Sequence, residues 1–302
     1  MNQGDTTRQP TGLDLYTRAA ETASAQVIGA YSTSFGWATK LLGRKVRQPI
    51  RNIYALVRVA DEIVDGAAAQ AKLRGGSIDP ASALDRFEAD TYQALADGFS
   101  TNLVIHAFAL TANEVGFGRE IIEPFFFSMR QDLTEQHYDQ AGFERYVYGS
   151  AEVVGLMCLA AFICHGDLEY SRDEKLELAA GARALGSAFQ KVNFLRDLAA
   201  DFKALGRSYF PGVTVENFTE AQKVRLVEDI AQELKKSAVI AGLLPRNSRR
   251  AVMAAQGFFE ALNERIRNTP ATELVSTRIS VPNSQKLVIL LRAYLGLRKG
   301  SK

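Results

Sequence analysis

The chain has 302 residues, 47% hydrophobic and 23% charged, with 23 glycines and 8 prolines, a balance that excludes disordered, collagen-like and disulfide-scaffold chains. Thirty-six Lys and Arg against 34 Asp and Glu leave a formal charge of +2, which gives no argument for nucleic acid, and none is expected as a partner. The two cysteines, Cys158 and Cys164, sit in an apolar stretch and read as buried thiols of a reducing compartment, so neither a disulfide framework nor a cysteine zinc cage is available.

In chain order, residues 1–12 are polar, lack a basic segment followed by an apolar one, and read as a flexible tail rather than a secretory signal; a cytoplasmic location is expected. Helical periodicity predicts segments near 13–30, 49–65, 81–97, 101–115, 119–130, 143–164, 172–201, 219–242, 246–268 and 284–297. Strand-like alternation is nearly absent. The breaks at 73–80, 207–212 and 243–245 are short and carry Gly or Pro, with no composition shift or repeat, so residues 13–302 are expected to form one all-α domain. The uncharged run Val153 to Cys164 falls short of the roughly 20 residues that span a bilayer and is expected as a buried helix.

Two predicted helices carry unusual acids. At 100° per residue, Arg51, Tyr54, Arg58, Asp61 and Asp65 share an arc of about 80° on a segment otherwise built from Ile53, Ala55, Leu56, Val57, Val59, Ala60, Ile63 and Val64. Gly186, Gln190, Asn193, Asp197 and Asp201 share a similar arc among Val192, Phe194, Leu195, Leu198 and Ala199. Gly186 and the helix-interior Gly155 mark places where a chain or ligand comes close. Unpaired buried carboxylates cost several kcal/mol, roughly, or take up protons. Such pairs therefore call for cations, a bound metal or an aqueous cleft. Carboxylates one turn apart suit a hard ion such as Mg²⁺, whose usual co-ligands are phosphates. Arg58, with Arg47, Arg51 and Arg207 as further candidates, supplies positive charge for a diphosphate.

The remaining signals read as structural. The pairs Asp173/Glu177, Glu216/Glu220, Asp229/Glu233 and Glu260/Glu264 lie in mixed charged segments and are expected to be solvated. His106, His137 and His165 form no two-histidine metal motif, and Gly116-Phe117-Gly118 lacks the third glycine of a dinucleotide site. Arg246, Arg249 and Arg250 read as a solvated helix start, with contact to anionic lipid as the alternative.

Several separated stretches, in order, resemble the squalene/phytoene synthase family, above all its bacterial phytoene synthases: YSTSF at 31–35, RNIYALVRVADEIVDG at 51–66, YVYGSAEVVGLM at 146–157, QKVNFLRDLAADF at 190–202, GRSYFPG at 206–212 and RISVP at 278–282. The resemblance implies an all-α isoprenoid synthase bundle around a central substrate tunnel. It implies metal binding by Asp61, Asp65, Asn193, Asp197 and Asp201, and a flap near the diphosphates with Ser32, Ser34 and Phe35. It assigns substrate or phosphate contacts to Tyr54, Arg58, Gln190, Arg207, Tyr209 and Arg278, and a reaction-cavity position to Tyr146. The acids, Tyr54, Arg58 and Tyr146 are the expected catalytic set.

The implied reaction is Mg²⁺-dependent, with Mn²⁺ as a substitute, and joins two geranylgeranyl diphosphates head to head through a cyclopropyl diphosphate to give phytoene, without NADPH. Peripheral membrane contact for product release is a further expectation. Aromatic rings, among them Tyr146, Phe35, Phe258 and Phe259, suit a wall facing carbocations, and Val153, Val154, Leu156 and Met157 are candidates to line an apolar tunnel. The alternatives are a squalene or dehydrosqualene synthase using farnesyl diphosphate, and a non-catalytic binding protein of the same fold.

Overall fold

A computed structural model describes residues 11–205 and 207–296, with 33–34 and 201–205 described by backbone alone. Residues 1–10 of the expected tail and the side chains of Ser34 and Asp201 therefore lie outside the described residues. Local signals set most helix ends. Thr11 and Asp14 form a capping box that opens α1 (Gly12–Tyr31), and the Ser32 hydroxyl accepts the Phe35 N–H to start α2 (Thr33–Thr39). Next come α3 (Arg44–Val64) and α4 (Ala67–Leu73). Asp79 caps α5 (Pro80–Asp97) with Pro80 at its first position, and Asn102 caps α6 (Leu103–Val115). Gly98 and Gly116 end these two helices at φ 69° and 81°, a left-handed backbone that favours glycine.

The chain continues through α7 (Arg119–Thr134), α8 (Gln140–Val147), a π-helical turn (Tyr148–Glu152), α9 (Val153–Cys164) and the long α10 (Arg172–Leu205). It ends in α11 (Glu220–Ala241), α12 (Arg246–Arg267), α13 (Ala271–Leu274) and α14 (Asn283–Tyr294). Every predicted helix is present, and the described residues contain no strand beyond the isolated bridge His137–Ser208. Two starts differ: the expected 143–164 segment begins at Gln140 and is divided by the π-helical turn, and α3 begins at Arg44, five residues before the expected 49, and holds Pro49 inside it. Its first turn is anchored instead by the Gly43 N–H, which donates to the Asn247 carbonyl at 2.8 Å.

Three apolar clusters hold the bundle. One joins α3, α5, α6, α7 and α9 around Phe108, Phe125 and Phe126, each worth about 2–3 kcal/mol of burial. A second joins α8, α10, α11 and α12, and a third joins Leu42 and Val46 to Leu159, Phe162, Leu178 and Leu244. The stretch Gln140–Cys164 is by length and composition apolar enough to cross a membrane. In this fold Val153 and Met157 pack in the first cluster, whereas Val154, Gly155 and Cys158 line an internal cavity. Two apolar environments on opposite sides explain a helix apolar all round. Cys158 is half-buried and burial pushes its thiol up to about 12, but Cys164 is exposed, contrary to expectation, because it sits in the last turn of α9.

Candidate active site

A cavity of about 970 Å³ runs between α1–α3 on one side and α9, α10 and α12 on the other. Asp61 and Asp65 from one acid stripe and Asp197 from the other line it, which explains how carboxylates are accommodated on apolar helices. Of the expected site residues, Ser32, Phe35, Tyr54, Arg58, Asp61, Asp65, Tyr146, Gln190, Asn193, Asp197, Tyr209 and Arg278 all face this cavity. The expected closeness at glycine is chain against chain: a Cβ on Gly186 would meet the Ala151 carbonyl at 2.5 Å, and one on Gly155 would meet the Ala182 carbonyl at 2.6 Å.

Arginines compensate the acids. Arg207, only 7% exposed, pairs with Asp65 at 2.7 Å and Asp132 at 3.3 Å and donates to the Tyr209 hydroxyl at 3.1 Å. Burial works against its charge, but Asp65, Tyr209 and Asp132 hold its pKa above the ordinary value. Arg207 thus stands behind Asp65 rather than on the cavity surface. Asp197 is gripped by Arg196 and by Arg278, whose Nε donates at 2.8 Å; burial would raise its pKa, but these two partners lower it. Arg58 pairs with Glu62, lies 4.0 Å from Asp61 and covers the Tyr31 ring at 4.3 Å.

Asp61 is the least compensated. Protein surrounds it, although the cavity leaves 40% of its side chain open. That burial, reinforced by Asp65 and opposed by Arg58, raises its pKa to about 7. The site is short of positive charge there.

Asp132 escaped the sequence reading. It projects from α7 on the face of Phe125, Ser128 and Met129, is 4% exposed, and accepts the Tyr146 hydroxyl at 2.8 Å. A carboxylate on the buried face of a helix was the available signal. Burial raises its pKa well above the ordinary carboxylate value, with Arg207 opposing. Burial and the neighbouring Asp132 likewise keep Tyr146 a neutral phenol. Glu62 and Arg196 are further cavity residues not anticipated. Arg47, by contrast, donates to the Lys40 and Leu42 carbonyls at 3.0 and 2.8 Å and so clasps the α2–α3 turn. Neither it nor Arg51 lines the cavity.

The residues present fit a divalent metal. The Asn193 Oδ1 is buried with no hydrogen-bond partner, an oxygen donor one turn before Asp197. Among the described residues no three His, Cys, Asp or Glu side chains converge on one point. Mg²⁺ does not require this, since it is commonly held by one or two carboxylates plus substrate phosphates. Arg58 Nε is also a buried donor without a partner, suited to a phosphate oxygen. Beyond this polar end the walls are aromatic, then mainly aliphatic: Phe189 stacks on Phe259 with centroids 3.7 Å apart, Phe35 lies 5.9 Å from Phe259, and Leu42, Leu178 and Leu244, with Phe162, line the far end. The arrangement accepts an amphiphile with an anionic head and a long hydrocarbon tail.

Comparison with known proteins agrees. The profile of the squalene/phytoene synthase family matches residues 28–285. The 15-cis-phytoene synthase of Pantoea ananas is 27% identical over 291 residues, covering 89% of each chain, and that of a Paracoccus strain is 28% identical over 284 residues, covering 88% of each. The solved structure of a dehydrosqualene synthase superimposes with a TM-score of 0.77 over 93% of this chain and 98% of its own, at 19% identity, a likeness of fold. The family uses prenyl diphosphates and depends on divalent metal. The chain belongs to the squalene/phytoene synthase family and is a prenyl-transferring enzyme of isoprenoid biosynthesis.

Proposed function

We propose that the protein joins two geranylgeranyl diphosphates head to head to give phytoene, through a cyclopropyl diphosphate and without NADPH. The observation that carries this reading is a single cavity with carboxylates and guanidiniums at one end and apolar walls at the other. The choice of C20 substrate is supported by similarity to phytoene synthases over most of the chain.

Asp61, Asp65, Asn193, Asp197 and Asp201 would hold Mg²⁺, or Mn²⁺ in its place, which when bound would supply positive charge to the departing diphosphate. Arg58 and Arg278 bind phosphate oxygens, with Gln190, Tyr54 and the flap residues Ser32 and Ser34 orienting the head groups. Arg207 holds the Asp65 carboxylate in place through their ion pair. The allylic cation released at the polar end adds to the double bond of the second substrate, and loss of a proton closes the cyclopropane; loss of the second diphosphate, rearrangement and loss of a second proton complete the product. Phe35, Phe189 and Phe259 offer ring faces to the positive charge, and Tyr146 and Tyr209 do the same beside Asp132. The aliphatic walls exclude water, which would otherwise capture the cation. At about 0.8 kcal/mol per buried CH₂, a C20 tail supplies on the order of 15 kcal/mol before ordering costs.

Product analysis tests the reading. Purified protein with Mg²⁺ and geranylgeranyl diphosphate is expected to give a C40 hydrocarbon irrespective of NADPH. Turnover of farnesyl diphosphate alone, to a C30 product, would overturn the substrate assignment and leave the fold and polar end in place. No turnover of either, by folded protein, would favour a binding role.

A further inference from the structure

We infer that the outer face of α14 is a docking surface for an anionic membrane, laid beside the cavity wall. At 100° per residue, Leu287, Val288, Leu291, Tyr294 and Leu295 fall within an arc of about 120°. All five are 47–64% exposed, forming a contiguous apolar stripe on a single helix. The opposite side of α14 is buried: Ala293 is 4% exposed, and Ile289 meets Gly257 of α12.

Charge selects the occupant. From Asn283 to Gly296 the chain holds Lys286 and Arg292 and no Asp or Glu. Arg250 of α12 lies over the Tyr294 ring at 5.3 Å, and Arg246 is exposed at the start of the same helix. Exposed apolar side chains, an amphipathic aromatic ring and a basic rim are what a lipid interface with anionic head groups recognises. A second copy of the chain fits less well, because a two-fold contact sets each patch against itself and would oppose the like charges.

Position gives the surface a purpose. Arg250 meets Tyr294 near one end of α14 and Gly257 meets Ile289 further back, so α14 runs antiparallel along α12. Ala251, Ala255, Phe258, Phe259 and Leu262 of α12 line the cavity, as does Lys286 of α14, and α14 also touches α2, which carries the flap. Membrane docking here brings the cavity alongside the bilayer in which prenyl chains and their hydrocarbon products dissolve. The surface does not rest on the proposed reaction; only its use as a route for prenyl chains does.

Vesicle flotation without substrate tests the inference. The full chain is expected to float with phosphatidylcholine vesicles containing about a third phosphatidylglycerol and to stay behind with phosphatidylcholine alone. The double variant Leu287→Ser/Leu291→Ser, and separately Arg292→Glu, should each bind the anionic vesicles at least about 10-fold more weakly. The leucine variant should retain its helical circular dichroism and its turnover of detergent-dispersed substrate. Absence of flotation by the native chain, or equal flotation by the leucine variant, would overturn the inference. So would light scattering that shows a native dimer which the leucine substitutions convert to monomer, since the face would then be closed by a second copy. Failure to form a C40 product would leave the flotation result unaffected.

Discussion

Asp61 and Asp197 occupy unequal environments, and the difference has consequences. Asp61 lacks a close cation, with Arg58 at 4.0 Å, whereas Asp197 is held by Arg196 and Arg278. If both hold metal, Asp61→Asn and Asp197→Asn should each lower turnover by about 100-fold or more, measured with geranylgeranyl diphosphate at saturating Mg²⁺. The melting temperature of Asp61→Asn should hardly fall, because that side chain opens onto the cavity. Asp132→Asn should behave differently. It replaces the carboxyl group that contacts Arg207 while keeping an acceptor for Tyr146, so turnover should fall at least about 10-fold and stability by about 1–3 kcal/mol, read from steady-state rates and urea melts. Unchanged values in both would remove Asp132 from the site. The two acid stripes were legible in the sequence because their neighbours are apolar and their period is helical. Asp132 was not, because its ion-pair partner Arg207 lies 75 residues away and local spacing carries no trace of the pairing.

The elements were the most legible level, since capping residues, left-handed glycines and apolar periodicity all act within a few residues. The exceptions share a cause. α3 starts before Pro49 because Gly43 is anchored to Asn247, and the short α2 and α4 gain little from local propensity. Where α9 crosses α10 the helices meet at glycine, so Gly155→Ala should destabilise the protein despite alanine's better helix propensity, by about 1–2 kcal/mol net of that gain. Chemical denaturation measures this, and a stabilised variant would show that the crossing is looser than the 2.6 Å approach implies. On the cavity side of α9, Cys158 packs with the far apolar cluster. Cys158→Phe should shorten the space for a tail and lower kcat/KM for the C20 substrate relative to the C15 one by about 10-fold or more. An unchanged ratio would place the chain end elsewhere.

At the scale of the molecule, folding and chemistry are separable. The three apolar clusters close without the acid residues, and the arginines already balance most of the charge around the cavity. Removing divalent metal with EDTA should therefore abolish turnover while leaving helical circular dichroism and the melting transition nearly unchanged, and adding Mg²⁺ should restore activity. A chain that unfolded on chelation would contradict this separation. The central claim is that the polar end of the cavity gathers metal and diphosphate while the prenyl tails fill the apolar length. The most direct measurement is a crystal structure with Mn²⁺ and an unreactive C20 thiodiphosphate, locating the ions by anomalous scattering. Ions bound by Asp61 and by Asn193 or Asp197, with the tail running past Phe35 and Phe259 towards Leu178 and Leu244, are predicted; ions away from these side chains, or a tail lying outside the cavity, would contradict the account.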